Sequence, residues 1–350
     1  MVNEAVRVLN TTGFGQVDPI STRVIGAGES IVVDSYDIAL FYKNAGWSIA
    51  ANRHVGKRGL NLETNGFNPY KPIETYFSDA MASLKRPTSA FCYGRNLNSP
   101  MACNDRLGCC TISGAIHMSQ VQALLAKVPW SYVGDAVTES VYFGLTGGQD
   151  TGLQLSQVIE YLSKPNALNY QIVGAASVDI EDFDLMSTVL YNFGALYLAL
   201  QLPTSAEVDF AKHLPWNGLS GPIAGGHCVV GNGTSNVLTV PVTKQTHLLD
   251  IFTWASDTEC DKAFWQKYGV QAIVVIPKWF IDVGHDAIAN LNKAQALADL
   301  QAIGNARAIF TTQKDLISQG VSTEPDTEKD LVIQGESTVP TLDTSLAVGV

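Results

Sequence analysis

The chain has 350 residues, of which 46% are hydrophobic and 16% are charged, and its formal net charge is −11. This composition permits a sizeable core, and the acidic balance argues against a surface for nucleic acid or for anionic membranes. No stretch approaches the roughly 18 unbroken apolar residues of a membrane span. Residues 1–5 contain no basic residue and no apolar run follows them closely, so no secretory signal is predicted. The low charge and the many Gly, Ser, Thr and Asn residues favour a loop-rich α+β protein.

Six cysteines are spread thinly along the chain, and without a predicted signal peptide their expected state is the reduced thiol. No Cys-x-x-Cys pair or paired histidine spacing indicates a zinc site, and we expect neither a metal nor another cofactor. The cysteines are Cys92, Cys103, Cys109, Cys110, Cys228 and Cys260.

Residues 1–55 are predicted to form a small β-rich attachment domain. Short strands are expected at 6–9, 24–25 and 30–34, and a helix over 36–44 that Asp34 or Ser35 caps. No evident chemistry lies in this region.

Residues 56–90 are predicted to be an extended linker laid over a surface, because the run 59–72 is rich in Gly, Asn and Pro. A short helix is expected within it, over 73–84.

Residues 91–288 are predicted to be the main domain, with helices in its first half and a sheet in its second. Apolar spacing predicts helices over 110–127, 152–162, 185–193 and 263–268, the third starting at Asp182 or Asp184. Apolar or alternating runs predict strands over 171–178, 194–200, 224–231, 247–254 and 272–277.

Residues 289–350 are predicted to be a C-terminal helix followed by an acidic polar tail. The helical pattern covers 289–318, and 319–350 lack a core-forming pattern.

The stretch from Asn104 to Met118 carries the clearest chemistry. A polar loop becomes an apolar helix at Cys110, so this thiol lies where the free N–H groups and the dipole of the helix stabilise a thiolate. Asn104 lies six residues upstream, close enough to fold back as an amide donor. A nucleophile, a helix N-terminus and an amide donor are parts of an acyl-transfer site.

The best candidate for the base is His227. The glycines before it allow a close backbone approach, and the apolar run after it predicts a strand that fixes the imidazole. His54, His213, His247 and His285 lie in loops, linkers or element edges, and His117 lies two turns into the helix that Cys110 begins.

These residues give the chain a resemblance to papain-like cysteine peptidases, over roughly residues 90–280. The family's loop Gln, Gly and nucleophilic Cys are matched in spacing by Asn104, Gly108 and Cys110. The family's base occupies a strand of the type x-His-Ala-Val-x-x-x-Gly, which 226–231 matches, and a later strand ends at a Trp, here Trp254. The resemblance is greatest to uncharacterised papain-like proteins of bacteriophages. It implies a two-lobed fold with a helical lobe and an antiparallel β lobe.

One family residue has no match here. The Asn that orients the base, two positions before the Trp, is replaced by Phe252, which accepts no hydrogen bond from an imidazole. Thr253 or Asp250 is the candidate replacement, and Thr253 is assigned to the site.

Three further residues are assigned to substrate binding: Gly108 and Gly226, which flank the nucleophile and the base, and Trp216, which precedes the histidine strand. For Trp216 the alternative interpretation is packing in the core.

Two functions follow from the resemblance. The first is a peptidase or amidase that acts by Cys-His nucleophilic catalysis on a peptide or isopeptide bond, with a peptide or protein substrate. The second is a structural or assembly protein of a virion on the same fold, with other subunits as partners. A redox role is a remote third, because Cys109 and Cys110 lack the two-residue spacer of redox pairs. The expected location is the cytoplasm of a host cell or a virion.

Overall fold

The structure is a computed structural model. It describes residues 6–9, 16–17, 24–25, 30–33, 48–49, 54–63, 68–77, 84–95, 97–236 and 247–303. The helix predicted over 36–44, the end of the predicted C-terminal helix beyond 303 and the tail 319–350 lie outside the described residues.

The residues described before position 54 form five short strands, which pair among themselves. Antiparallel pairing joins β4, β1 and β5 into one sheet and β2 and β3 into another. The strands predicted at 6–9, 24–25 and 30–34 are therefore confirmed, whereas the division of 1–55 from the rest as an attachment domain stays a prediction. The strands are β1 Val6–Leu9, β2 Gln16–Val17, β3 Val24–Ile25, β4 Ser30–Val33 and β5 Ser48–Ile49.

The main sheet of the described chain is antiparallel, with the order β11-β10-β9-β8-β12-β7, and β6 pairs with β9. Long apolar runs form its central strands because both faces of the sheet are covered. Its members are β6 Phe91–Cys92, β7 Ile172–Val178, β8 Leu196–Pro203, β9 Ile223–Asn236, β10 His247–Thr253, β11 Ser256–Asp261 and β12 Gly269–Pro277.

The helices cover the sheet on both faces. They are α1 Cys110–Ala126, α2 Asp135–Thr146, α3 Leu155–Leu162, α4 Phe183–Phe193, α5 Thr204–Ala211, α6 Lys262–Tyr268, α7 Lys278–Val283 and a last helix over 293–303. The predicted combination of helices and an antiparallel sheet is confirmed. None of the helices in the described ranges is long and apolar enough to cross a membrane.

Among the described residues the core consists of two hydrophobic clusters, one on each face of the sheet. The first contains inward-facing residues of α4, α5 and α6, such as Phe193, Phe210 and Phe264. The second contains residues of α1 and α3, such as Ile112 and Val158. Alternate residues of β8 and β9 point to opposite faces, as the pleat of a strand requires.

A β-bulge interrupts the pairing of β9 with β10. Asp250 pairs with Gly233 but Ile251 pairs with Gly231, so Asn232 has no partner on β10. Beyond the bulge Phe252 lies opposite Val230, and strand alternation places Thr253 on the same face of the sheet as His227.

Side-chain caps account for two helix starts. Asp182 accepts a hydrogen bond from the backbone N–H of Leu185 at 2.8 Å, which settles the start of α4 in favour of Asp182. Asp261 caps α6 in the same way through Phe264 at 2.6 Å.

Several boundaries differ from the prediction. The helix expected from residue 152 begins at Leu155, and the helix expected over 73–84 is a single 3-10 turn, Ile73–Tyr76, in its described part. Helices α2, α5 and α7 were not predicted. Both α5 and α7 begin directly after a proline that ends a strand and forms the N-cap of the helix in extended backbone.

Candidate active site

The Cys110 thiol lies at the first residue of α1, as the sequence predicts. Its neighbour Cys109 is the N-cap and makes no side-chain cap, so the first N–H groups of the helix are free to face the thiol. Burial raises the pKa of Cys110 to about 11, against hydrogen bonds from the backbone N–H groups of Cys228, Gly59, Thr111 and Cys110 that lower it. The thiol is therefore neutral in this structure.

The imidazole of His227 projects from β9 and is fully buried. Its Nε2 lies 2.8 Å from Oγ1 of Thr253, and its ring stacks on the indole of Trp254 with centroids 4.5 Å apart. Its Nδ1 is buried and forms no hydrogen bond with any residue that the structure describes, Cys110 included. Burial, helped by the positive charge of Arg58, lowers the pKa of His227 to about 3.

Thr253 and Asp250 were alternatives for the group that orients the base, and their positions differ. Thr253 lies against His227, whereas Asp250 forms an ion pair with Arg95 at 3.3 Å. The ring of Phe252 contacts His117 on the opposite face, with centroids 4.8 Å apart.

The side chain of Asn104 is buried and already engaged. Its amide nitrogen donates to the backbone carbonyl of Lys57 at 2.8 Å and to that of Leu107 at 3.1 Å. The side-chain amide of Asn104, which was predicted to donate to an oxyanion, thus donates to a backbone carbonyl of the linker.

The part of the linker at Lys57–Asn61, called here the cleft segment, crosses the candidate site and pairs with both of its sides. The N–H of Leu60 donates to the carbonyl of Gly226 at 3.2 Å. Gly59 and Asn61 pair with Leu153 in a parallel bridge, through bonds of 2.9 and 3.0 Å. Gly226, which precedes the predicted base, and Leu153, in the loop before α3, therefore both form hydrogen bonds with the same extended backbone.

Glycines line this crossing on every side. A methyl group on Gly59 would overlap the carbonyl of Gly108, one on Gly152 would overlap the carbonyl of Gly59, and one on Gly226 would overlap the carbonyl of Leu60. Gly108 and Gly226, which the sequence assigned to substrate binding, both contact the cleft segment.

Two ion pairs and a hydrogen-bond network flank the cleft segment. Arg58 pairs with Glu207 at 2.8 Å, and Lys57 pairs with Asp150 at 3.4 Å. Asp150 also accepts from the backbone N–H of Gly108 at 2.8 Å and from the hydroxyl of Tyr142 at 2.7 Å. These contacts connect the loop before the nucleophile to the wall of the cleft.

Other predicted or candidate residues lie elsewhere. Trp216 is fully buried in the first hydrophobic cluster, packed on Trp254 and Phe264, so the structure supports the alternative of core packing. His117 is buried and bonds the carbonyl of Pro100 at 2.8 Å. No group of three or more metal-ligating side chains occurs within the described ranges.

Sequence reasoning left open whether the linker covers the cleft, and it missed the contribution of Asp150. The glycine-rich composition of the linker indicated an extended path, but a single sequence gives no sign of which surface such a path crosses. Asp150 lies in a turn with no motif of its own.

Comparisons with known proteins return solved structures of cysteine proteases. Xylellain, a cysteine protease from Xylella fastidiosa, is 12% identical, with a TM-score of 0.48 over 65% of this chain and 99% of that one. Procathepsin B S9 from Trypanosoma congolense is 11% identical, with a TM-score of 0.45 over 63% of this chain and 86% of its own. Procathepsin L2 from the Tenebrio molitor larval midgut is 11% identical, with a TM-score of 0.46 over 69% and 88%.

No family model and no curated protein matches the chain. With TM-scores below 0.5, the structural matches do not assign the chain to a family.

Proposed function

We propose that the chain is a papain-like cysteine peptidase or amidase in which Cys110 is the nucleophile and His227 the base. The observation that supports this most is the setting of His227. Thr253 holds one ring nitrogen and Trp254 fixes the ring plane, while the other nitrogen is buried and unpartnered among the described residues. An unsatisfied buried polar atom costs about 1–3 kcal/mol, and the atom left unsatisfied here is the ring nitrogen that would accept the thiol proton.

In the proposed reaction, Nδ1 of His227 takes the proton of the Cys110 thiol, and the thiolate attacks the carbonyl carbon of a peptide or isopeptide bond. The amide of Asn104 and the backbone N–H of Cys110 hold the oxyanion. The imidazolium then protonates the leaving amine, and water hydrolyses the thioester. Thr253 Oγ1 accepts the Nε2–H of His227 and stabilises the tautomer that leaves Nδ1 able to accept a proton.

In this proposal the site is closed. The cleft segment occupies the space between Gly226 and Leu153 and holds the Asn104 amide. Burial keeps the Cys110 pKa high and the His227 pKa low, so both groups are neutral. Catalysis therefore requires the cleft segment to leave, which admits water and substrate and lets the thiolate–imidazolium pair form.

Thiol labelling tests the proposal. In the Gly59→Ala protein, in which the cleft segment no longer fits, iodoacetamide at pH 6 is expected to label Cys110 faster than the half-buried Cys92, as read by peptide mapping. The advantage should vanish in Gly59→Ala/His227→Ala, because the imidazole is what stabilises the thiolate. Labelling of Cys110 no faster than Cys92 in Gly59→Ala would contradict the assignment of the nucleophile.

Association with a bacteriophage, and a role in virion assembly through residues 1–55 or the tail, stay predictions from the sequence alone.

A further inference from the structure

The cleft recognises the cleft segment mainly through its backbone. Leu153 exchanges two backbone hydrogen bonds with Gly59 and Asn61, and Gly226 accepts a third from Leu60. A backbone ladder of this kind accepts many sequences, because every residue other than proline offers the same N–H and C=O groups.

The position of Gly59 is the exception. Its backbone lies against Gly108, two residues before the nucleophile, so closely that a methyl group would overlap the Gly108 carbonyl oxygen, carbonyl carbon and Cα. Because these atoms are backbone and Gly108 is itself tied to Asp150 at 2.8 Å, no flexible side chain can move aside. The conformation of Gly59 is not left-handed, so space rather than backbone strain excludes other residues there.

The walls of the cleft also carry glycines where the cleft segment passes close to them. Methyl groups on Gly152 or Gly226 would overlap the carbonyls of Gly59 and Leu60. Side chains on either side of Gly59 are accommodated, since Arg58 pairs with Glu207 at 2.8 Å and Leu60 is buried in the second hydrophobic cluster.

We propose that the cleft selects extended peptides that carry a glycine where Gly59 now lies, next to the Cys110 thiol. This substrate class, peptides with a glycine at the reacting position, rests on the proposed function. The cleft segment is itself a peptide with a glycine at this position, and it carries a basic residue before the glycine and a leucine after it.

Peptide binding tests the selectivity without requiring catalysis. The receptor is full-length Gly59→Ala/Cys110→Ala, whose own segment no longer fits and which cannot cleave. The probes are a labelled peptide with the sequence of residues 54–63, the same peptide with Ala at the Gly59 position, and a control peptide with Ala at the exposed Lys57 position. We expect the dissociation constant to rise by about tenfold or more for Ala at Gly59. It should change by less than about threefold for the control. Equal affinities for the first two peptides would overturn the proposal.

A second receptor keeps the test decisive if Gly59→Ala does not fold. Arg58→Ala/Cys110→Ala retains Gly59 but loses the ion pair to Glu207, so its segment competes less strongly with added peptide, and the same order of affinities is expected.

Hydrolysis separates this inference from the proposed function. Gly59→Ala with Cys110 intact is offered fluorogenic peptides that differ only by Gly or Ala at the reacting position, with cleavage of the Gly peptide expected to be at least about tenfold faster. Equal cleavage of both overturns the selectivity and leaves the peptidase. Selective binding with no cleavage of either peptide contradicts the peptidase and leaves the selectivity.

Discussion

Asn104 and Lys57 exchange two hydrogen bonds: the Asn104 side-chain amide donates to the Lys57 carbonyl at 2.8 Å, and the Lys57 N–H donates to the Asn104 backbone carbonyl at 2.6 Å. The pair fastens the loop that precedes the nucleophile to the segment that fills the cleft. Because the same amide is the proposed oxyanion donor, the closed state and the reactive state compete for one N–H group.

Replacing Gly59 by Ala should open the site. The added methyl group overlaps the Gly108 carbonyl, so the cleft segment is displaced, and Cys110 labelling by iodoacetamide should rise at least about tenfold over wild type. Gly144→Ala is the matched control, because a methyl group there meets nothing within 4 Å. Unchanged labelling in Gly59→Ala would show that the segment does not limit access.

Replacing Asn104 by Ala should move two readouts in opposite directions. Loss of the bond to Lys57 loosens the cleft segment and raises Cys110 labelling. Loss of the oxyanion donor lowers kcat for peptide hydrolysis by about 10²–10³-fold. Labelling is measured in wild type, where the cleft segment is in place, and kcat is measured in the Gly59→Ala background, where the segment is displaced. A parallel fall of labelling and turnover would indicate misfolding rather than the proposed role.

Replacing Thr253 by Val should lower kcat by about 10–100-fold with little change in KM, because the imidazole of His227 loses the acceptor that sets its tautomer. Thr253→Ser keeps the hydroxyl and should retain most of the activity. The comparison uses Gly59→Ala as the parent. Equal activity of the Val and Ser variants would remove Thr253 from the site.

The free energy of unfolding should decrease as the pH is lowered from about 6.5 to 3. Burial lowers the pKa of His227 to about 3 from an unfolded value of 6.5. Above pH 6.5 this imidazole is neutral in both states, and between pH 6.5 and 3 only the unfolded state binds the proton, so about 1.4 kcal/mol of stability is lost for each unit by which the pH falls. His117, whose pKa burial lowers to about 4, acts in the same direction. Urea unfolding at pH 6.5 and 4.5 should show that His227→Gln loses about 2 kcal/mol less than wild type over this interval. An equal loss in both proteins would contradict the burial of a neutral His227.

Replacing Asp182 by Ala should reduce the free energy of unfolding by about 1 kcal/mol, because the N–H of Leu185 loses its cap. Asp184 lies in the same first turn but the described cap does not involve it, so Asp184→Ala should cost less. Urea unfolding of the two variants distinguishes them, and the reverse order would place the cap at Asp184.

The sequence was informative where chemistry depends on near neighbours in the chain. The start of α1 at Cys110, the glycines before His227 and the cap at Asp182 are all local signals. The path of the linker was not predictable, because its partners, Gly226 and Leu153, are distant in the chain and contribute backbone atoms. Spacing from Trp254 pointed to Phe252 as the position of the residue that should orient the base. It could not tell whether Thr253 or Asp250 takes over that role.

The bulge at Asn232 determines which side chain of β10 meets His227. With the register that holds at Asp250 and Gly233 continued unbroken, Phe252 would lie opposite Gly231 and the side chains beyond it would exchange faces. Phe252 would then replace Thr253 beside the imidazole. Whether a polar or an apolar side chain contacts His227 thus depends on the register of β10 against β9, and not only on which residues β10 contains.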